Sequence, residues 1–288
     1  MPILSALALT LLQPVDPYLL KIGTPGTIAI KPGYQNAKSG EVSTPDEIAR
    51  AADGVKYFLI GENHATPAHH QAQADMIRAF HRRGRHVIVG FEMFTRDNQR
   101  NINSLSLGRI SVDDFKVESN WEKQWGHNFD AYRPILNTVR DLGLPMVALN
   151  VPRDWVRQAT RTGYASFDDF QKRWVPELYL GNKEHRMVFD ALMGGHPMPE
   201  AQAQNIYSGQ VTWDTGMAQS ALDAMSDKQS DKWIMVILAG SGHVMYGQGI
   251  NYRLKRMANA DSLSLICIQG ADSGRVSKGI GDYLYVGK

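Results

Sequence analysis

Lys56-Tyr57-Phe58-Leu59-Ile60-Gly61-Glu62-Asn63-His64-Ala65-Thr66-Pro67 holds the punctuation of an α/β protein in a single stretch. The run Lys56 to Ile60 has no polar alternation, so it reads as a strand buried on both faces. Gly61-Glu62-Asn63-His64 follows as a loop. Thr66-Pro67 supplies a cap and a proline for the first helical turn, opening a helix that runs to about Arg83 and stops at Gly84. The same order recurs far along the chain, where Trp233 to Ala239 is an apolar run and Gly240-Ser241-Gly242-His243 follows it. Each glycine-led sequence places a histidine at the carboxyl end of a strand, the edge at which open α/β sheets bind ligands.

The remaining chain extends this pattern. His86 to Phe91 is a second buried strand ending at Glu92, and Pro145 to Leu149 a third ending at Asn150; the Trp233 run is the fourth. Strands over Leu263 to Ile268 and Tyr283 to Val286 follow, with helices over Pro134 to Leu142, from Pro152, and near Asn251 to Ala258. Near the start, Thr27 to Val42 reads as a hairpin turning at Lys31-Pro32-Gly33, and Thr44-Pro45-Asp46-Glu47 is a capping box. The expected fold is therefore α/β, a mainly parallel sheet flanked by helices. About Thr162 to Asp231 breaks the alternation and is expected to be a helical insertion between the third and fourth strands, with Gly194-Gly195-His196-Pro197 as a turn. Residues 1–43 read as an N-terminal segment with a hairpin, and 44–288 as a single α/β domain.

A chain of 288 residues with 43% hydrophobic and 21% charged residues can bury a large core. Its formal charge of +2 comes with no basic block or basic helical stripe in the sequence pattern, which argues against nucleic acid as a partner. Cys267, the single cysteine, lies within a strand pattern and reads as a small buried hydrophobe, so no intrachain disulfide forms. Ile3 to Leu12 fits either the apolar core of a signal peptide or an N-terminal element packed on the domain, and is too short to span a bilayer. No transmembrane segment is expected elsewhere.

Glu62, His64, Glu92 and His243 are the residues that strand-end placement singles out. Carboxylates with imidazoles suit a borderline or hard divalent ion, or direct acid–base catalysis in a hydrolase. The absence of thiolate clusters argues against structural zinc. No glycine-rich dinucleotide loop, phosphate loop or His-Glu-x-x-His is present, and Gly240-Ser241-Gly242-His243 lacks the spacing of a serine nucleophile elbow. Trp121 and Trp125, one helical turn apart beside Phe129 and Tyr132, read as a core-facing stripe.

Several motifs occur in order: Gly61-Glu62-Asn63-His64, Pro67-Ala68-His69-His70, Val89-Gly90-Phe91-Glu92-Met93-Phe94, Tyr132-Arg133-Pro134, Val147-Ala148-Leu149-Asn150-Val151-Pro152-Arg153, Trp213-Asp214-x-x-Met217-Ala218 and Gly240-Ser241-Gly242-His243-Val244-Met245-Tyr246-Gly247. Together they resemble the ChaN-like haem-binding uptake family of the Tiki superfamily, which is related to TraB-like proteins and erythromycin esterases. The resemblance covers roughly Val42 to Gln269. It implies an α/β fold, and it matches Glu62, His64, Glu92 and His243 to positions used for divalent metal by the superfamily's proteases. It also implies haem as a cofactor, held by a tyrosine between two subunits of a homodimer, and a place in the cell envelope or outside the cell. Tyr132, Tyr207 and Tyr246 lie in the motif-rich segments and are the candidate haem ligands, since a phenolate can ligate ferric iron. His69, His70 and His196 are expected on a helix surface or in a turn, with contact to the haem propionates as the alternative. The readings that follow are haem binding in iron uptake, with the pocket at the sheet's carboxyl edge; a metal-dependent peptidase- or esterase-like hydrolase; and a non-catalytic scaffold.

Overall fold

The computed structural model describes residues 15–194, 199–271 and 273–287. The Ile3 to Leu12 run and His196 lie outside the described residues. In chain order the strands are β1 (Thr27–Ala29), β2 (Gly33–Asn36), β3 (Val42–Ser43), β4 (Tyr57–Glu62), β5 (His86–Thr95), β6 (Met146–Asn150), β7 (Trp233–Gly240), β8 (Ser262–Ile268), β9 (Arg275–Ser277) and β10 (Tyr283–Val286). The helices are α1 (Pro45–Ala51), α2 (Pro67–Arg82), α3 (Gln99–Ser106), α4 (Val112–Glu118), α5 (Trp121–Gln124), α6 (Arg133–Leu142), α7 (Arg153–Thr162), α8 (Asp169–Trp174), α9 (Lys183–Leu192), α10 (Glu200–Met225) and α11 (Ile250–Ala258).

Eight strands form one sheet in the order β3-β2-β10-β8-β4-β7-β5-β6, parallel from β10 to β6, with β2 and β3 added antiparallel at one edge. The central strands alternate between two cores. Phe58 and Ile60 of β4 with Val236 and Leu238 of β7 face one core, which α1, α2, α3 and α6 cover. Leu59 with Met235 and Ile237 faces the other, under α9, α10 and α11. Burial on both faces is why these strands read as unbroken apolar runs. Each such side chain contributes about 1.5–3 kcal/mol to the fold.

The N-terminal hairpin differs from expectation. β2 pairs with β3, whereas β1 leaves to pair with β9 in a separate two-stranded sheet. The reason is Gln35, whose side-chain amide accepts from the Lys31 N–H at 3.1 Å and donates to the Ala29 carbonyl at 2.9 Å. Those contacts satisfy the backbone groups through which β1 would otherwise pair with β2. At the far edge, Gln99 does similar work, donating to the Met146 carbonyl and accepting from the Ala148 N–H, both at 2.8 Å, so the outer side of β6 is not left open.

The Thr44 capping box forms as its sequence suggests, with reciprocal bonds to Glu47. Thr66 instead turns its hydroxyl to the Gln269 side chain at 3.1 Å and makes no cap bond to α2. Between β6 and β7 the chain forms α7 to α10 and no strand among the described residues. This layout matters for the site, because α2 follows β4 onto one face while α11 follows β7 onto the other. β4 and β7 are neighbours, with Glu62 paired to Gly240, so their carboxyl ends open a crevice at a topological switch point.

Gly249 keeps that crevice in shape, since a β-carbon there would lie 2.0 Å from the His243 carbonyl oxygen, a backbone atom. Gly249→Ala is expected to destabilise the fold by about 2 kcal/mol or more through this overpacking. Urea denaturation of the two proteins at pH 7 measures the difference.

Candidate functional site at the carboxyl edge of the sheet

Glu62 ends β4 with its side chain fully buried, and four donors surround it. His64 Nδ1 lies 2.9 Å and the Tyr132 hydroxyl 3.1 Å from Oε1, while Gln73 Nε2 at 2.8 Å and His70 Nδ1 at 3.1 Å meet Oε2. Burial alone would raise this carboxyl group, but hydrogen bonds from His64 and His70 outweigh it and hold Glu62 well below the usual carboxylate range. His64, two residues on, is exposed at the crevice: its Nδ1 is held by Glu62, and its Nε2 makes no hydrogen bond among the described residues. Burial would lower the His64 pKa, yet Glu62 and Glu92 together keep it above its ordinary value.

A second set of residues lies across the crevice. Glu92 reaches it because β5 runs parallel to β7 in a register that sets Phe91 beside Leu238, and strand alternation turns Glu92 to the face opposite Phe91 and Met93. Its Oε2 accepts the Gly240 N–H at 2.6 Å and its Oε1 stands 3.2 Å from His243 Nε2. His243 Nδ1 lies 2.6 Å from Oδ1 of Asp214, a fully buried residue of α10. Burial opposes the charge on His243, but Glu92 and Asp214 flank it and push its pKa up to about 10. Asp214 is held well below the usual carboxylate range, the partners His243 and His185 overcoming its burial.

His64, Glu92 and His243 share a cavity of about 530 Å³, within the range of ordinary ligand sites. Its apolar walls include Trp125, Val151, Val156 and Trp213, and its rim includes His127, Arg153 and Arg157. Trp125 sets its ring edge-on to His64 at 4.7 Å, and His127 tilts against the same imidazole at 5.2 Å. Arg153, Arg157 and Arg161 recur one turn apart on α7, which corrects the expectation of no basic helical stripe; the stripe is short, and Arg157 pairs with Asp154 at 2.8 Å.

Three expectations are corrected. First, the four strand-end residues divide into Glu62–His64 and Glu92–His243, and among the described residues no three His, Cys, Asp or Glu side chains are placed to hold a metal ion. Nε2 of His64 apart, their side-chain nitrogen and oxygen atoms already face protein partners. Second, none of the three tyrosines lines the cavity. Tyr132 donates to Glu62 and accepts from Trp125 Nε1 at 2.8 Å; Tyr207 bonds His185 at 3.0 Å; Tyr246 bonds the Pro17 carbonyl at 2.9 Å and the Leu20 N–H at 3.0 Å. All three are buried, and burial first of all raises their phenol pKa values, Tyr207 to about 12, which disfavours phenolate ligation. Third, His69 and His70 are buried rather than on a helix surface: His69 Nδ1 accepts the Asn63 N–H at 3.0 Å, and His70 supports Glu62.

The tryptophan pair divides too. Trp121 belongs to the core and donates its indole N–H to the His127 carbonyl at 2.7 Å, while Trp125 walls the cavity. Sequence reading passed over His127, Arg157, His185 and Arg253, and quoted Arg153, Trp213 and Asp214 only as parts of motifs. The four-residue spacing of the arginines on α7 was the available signal.

The chain belongs to the haem-binding uptake, Tiki superfamily, ChaN family, whose model matches residues 48–254. Among solved structures it is similar to that described as cofacial haem binding to ChaN of Campylobacter jejuni, at 15% identity and a TM-score of 0.66, covering 88% of this chain and 95% of the other. It is also similar to erythromycin esterase EreC in an open conformation, at 11% identity and a TM-score of 0.47, covering 81% and 76% of the two chains. The first likeness establishes the shared α/β fold. No curated protein sequence matches the chain.

Two outcomes test this geometry. His243 is charged in the fold and ordinarily titrates near 6.5 when unfolded, so its contribution to stability is complete below about pH 6.5 and is lost as pH rises through about 10. Denaturant midpoints are expected to fall between pH 7 and pH 10, and to fall less in His243→Gln. At Gly240, a β-carbon would lie 2.7 Å from His64 Cε1. Gly240→Ala is therefore expected to displace the His64 ring with the fold retained, as a crystal structure of the variant would show.

Proposed function

We propose that the chain binds haem in the cavity at the carboxyl edge of the sheet, in keeping with its family. The observation that carries this reading is His64, whose Nδ1 is held by buried Glu62 while Nε2 has no hydrogen bond among the described residues, in an exposed ring lining the cavity. An imidazole oriented by a carboxylate through one nitrogen is suited to ligate iron through the other. Trp125, Val151, Val156 and Trp213 offer apolar surface to a macrocycle, and Arg153 and Arg157 offer charge to its propionates. Bound haem would supply an iron centre; the chain's own residues supply its orientation and its counter-charge. A second copy of the chain would cover the face of the macrocycle that the cavity leaves open.

A second reading, acid–base hydrolysis of an ester or peptide, rests on the same Glu62–His64 pair. A buried carboxylate that fixes the tautomer of an imidazole prepares its other nitrogen to take a proton. Glu92 and His243 would then stabilise charge beside it, without a metal ion. Hydrolysis of chromogenic esters that disappears in His64→Ala supports this reading, and its absence from wild type removes it.

Haemin added to the purified chain is expected to give a saturable shift of the Soret band; a spectrum identical to haemin in buffer overturns the proposal. Arg153→Gln with Arg157→Gln is expected to weaken haemin by about tenfold or more, each lost charged hydrogen bond being worth about 1.5–3 kcal/mol. Haemin dimethyl ester, which lacks the carboxylates, should bind both proteins alike.

A further inference from the structure

The hydrogen bonds behind His243 have directions that follow from one end. Arg253 of α11 is buried, anchors Nη1 on the Gln248 carbonyl at 2.7 Å, and possesses only donors. Its Nη2 lies 3.1 Å from His185 Nδ1. That nitrogen must accept, so neutral His185 carries its proton on Nε2. Burial holds the His185 pKa below its ordinary value despite Asp214, in keeping with the neutral form.

His185 Nε2 stands 3.0 Å from Asp214 Oδ2, a close polar contact rather than an aligned hydrogen bond, and Asp214 Oδ1 is hydrogen-bonded to His243 Nδ1 at 2.6 Å. A carboxylate only accepts, so His243 Nδ1 bears a proton. The Gln210 amide is 2.9 Å from the same nitrogen. The shorter charge-assisted contact to Asp214 decides the matter, and the amide, whose oxygen and nitrogen positions interchange, turns its oxygen to the ring. On the far side Glu92 faces Nε2 at 3.2 Å, so that nitrogen bears a proton as well. The chain Arg253–His185–Asp214–His243–Glu92 thus leaves His243 no lone pair. It links α9, α10 and α11 and reaches the cavity floor at Glu92. His64 contrasts with it, since only its Nδ1 is engaged.

We propose that Arg253, His185 and Asp214 are positioning residues that hold His243 as a fixed double donor against Glu92, so that of the two strand-end histidines His64 alone binds a ligand atom or takes a proton. The division of roles rests on the cavity being the site proposed above; the hydrogen-bond directions do not. Two sequences that look interchangeable, Gly61 to His64 and Gly240 to His243, therefore do different work.

Long-range ¹H–¹⁵N imidazole spectra of the full chain at pH 7 read the protonation of each nitrogen. The expected pattern is His243 protonated on both nitrogens, His185 protonated on Nε2 alone, and His64 protonated on Nδ1 with any second proton, on Nε2, given up at a lower pH than either proton of His243. In Asp214→Asn, His243 is expected to lose one N–H. The Tyr207 hydroxyl also reaches His185 Nδ1 at 3.0 Å, so in Arg253→Met made together with Tyr207→Phe His185 is expected to lose its single tautomer, and Arg253→Lys in the same Tyr207→Phe background, which keeps a donor, is expected to restore it. A general structural role would lower stability in all three variants without this pattern. A single protonated nitrogen on wild-type His243, or an unchanged ring in Asp214→Asn, overturns the proposal. Haemin provides the second arm: His64→Gly is expected to lose the Soret shift and regain it with added imidazole, whereas His243→Gly is not restored. The reverse pattern overturns the division of roles. Were wild type to give no shift, the haem reading would fail, while the spectra would still decide the hydrogen-bond chain.

Discussion

Three carboxylates, Glu62, Glu92 and Asp214, are buried at one edge of the sheet, and the rest of the site is arranged to satisfy them. An unpaired buried charge costs more than a domain can spare: removing one partner of a buried pair typically loses about 3–5 kcal/mol, against a net stability of about 5–15 kcal/mol. Each carboxylate is therefore surrounded by donors from several elements. Glu62 takes them from the loop after β4, from α2 and from Tyr132; Glu92 from β7 and its loop; Asp214 from α9 and that same loop.

That requirement ties local features to one another. The parallel register of β5 and β7 brings Glu92 beside Gly240, and the absence of a β-carbon at Gly240 leaves room for the His64 ring. α10 is buried on nearly every side, with Gly216 lying directly against Val151, and so can deliver Asp214 to the back of His243. Trp125 links two parts of the site, walling the cavity with its ring while donating its N–H to the tyrosine that bonds Glu62. The resulting crevice has an interior of carboxylates faced by imidazoles, and a rim at α7 that carries exposed cationic side chains.

Much of this was legible along the chain. Unbroken apolar runs ending in glycine gave β4 and β7, and the strand-end rule drew attention to Glu62, His64, Glu92 and His243. Family motifs then pointed to haem. The internal hydrogen bonds of the three tyrosines are visible only in the structure, because a motif names a residue and not whether its hydroxyl faces a ligand or a neighbouring group. The early hairpin was misassigned because Gln35, one side chain, competes with a whole strand for the backbone of Ala29 and Lys31.

By itself the sequence determined the α/β class, the order of its central elements and the residue types at the carboxyl edge, since these follow from periodicity and from turn and cap chemistry, which act over a few residues. Only the tertiary structure decided which carboxylate meets which histidine, that Asp214, His185 and Arg253 stand in line behind His243, and that the tyrosines are internal. The physical reason is that a hydrogen bond is fixed by separations of about 3 Å between groups whose positions depend on how helices from opposite faces pack on the sheet. Two glycine–histidine sequences with the same local spacing thus differ in surroundings, the second nitrogen of His243 meeting a carboxylate and that of His64 facing the cavity.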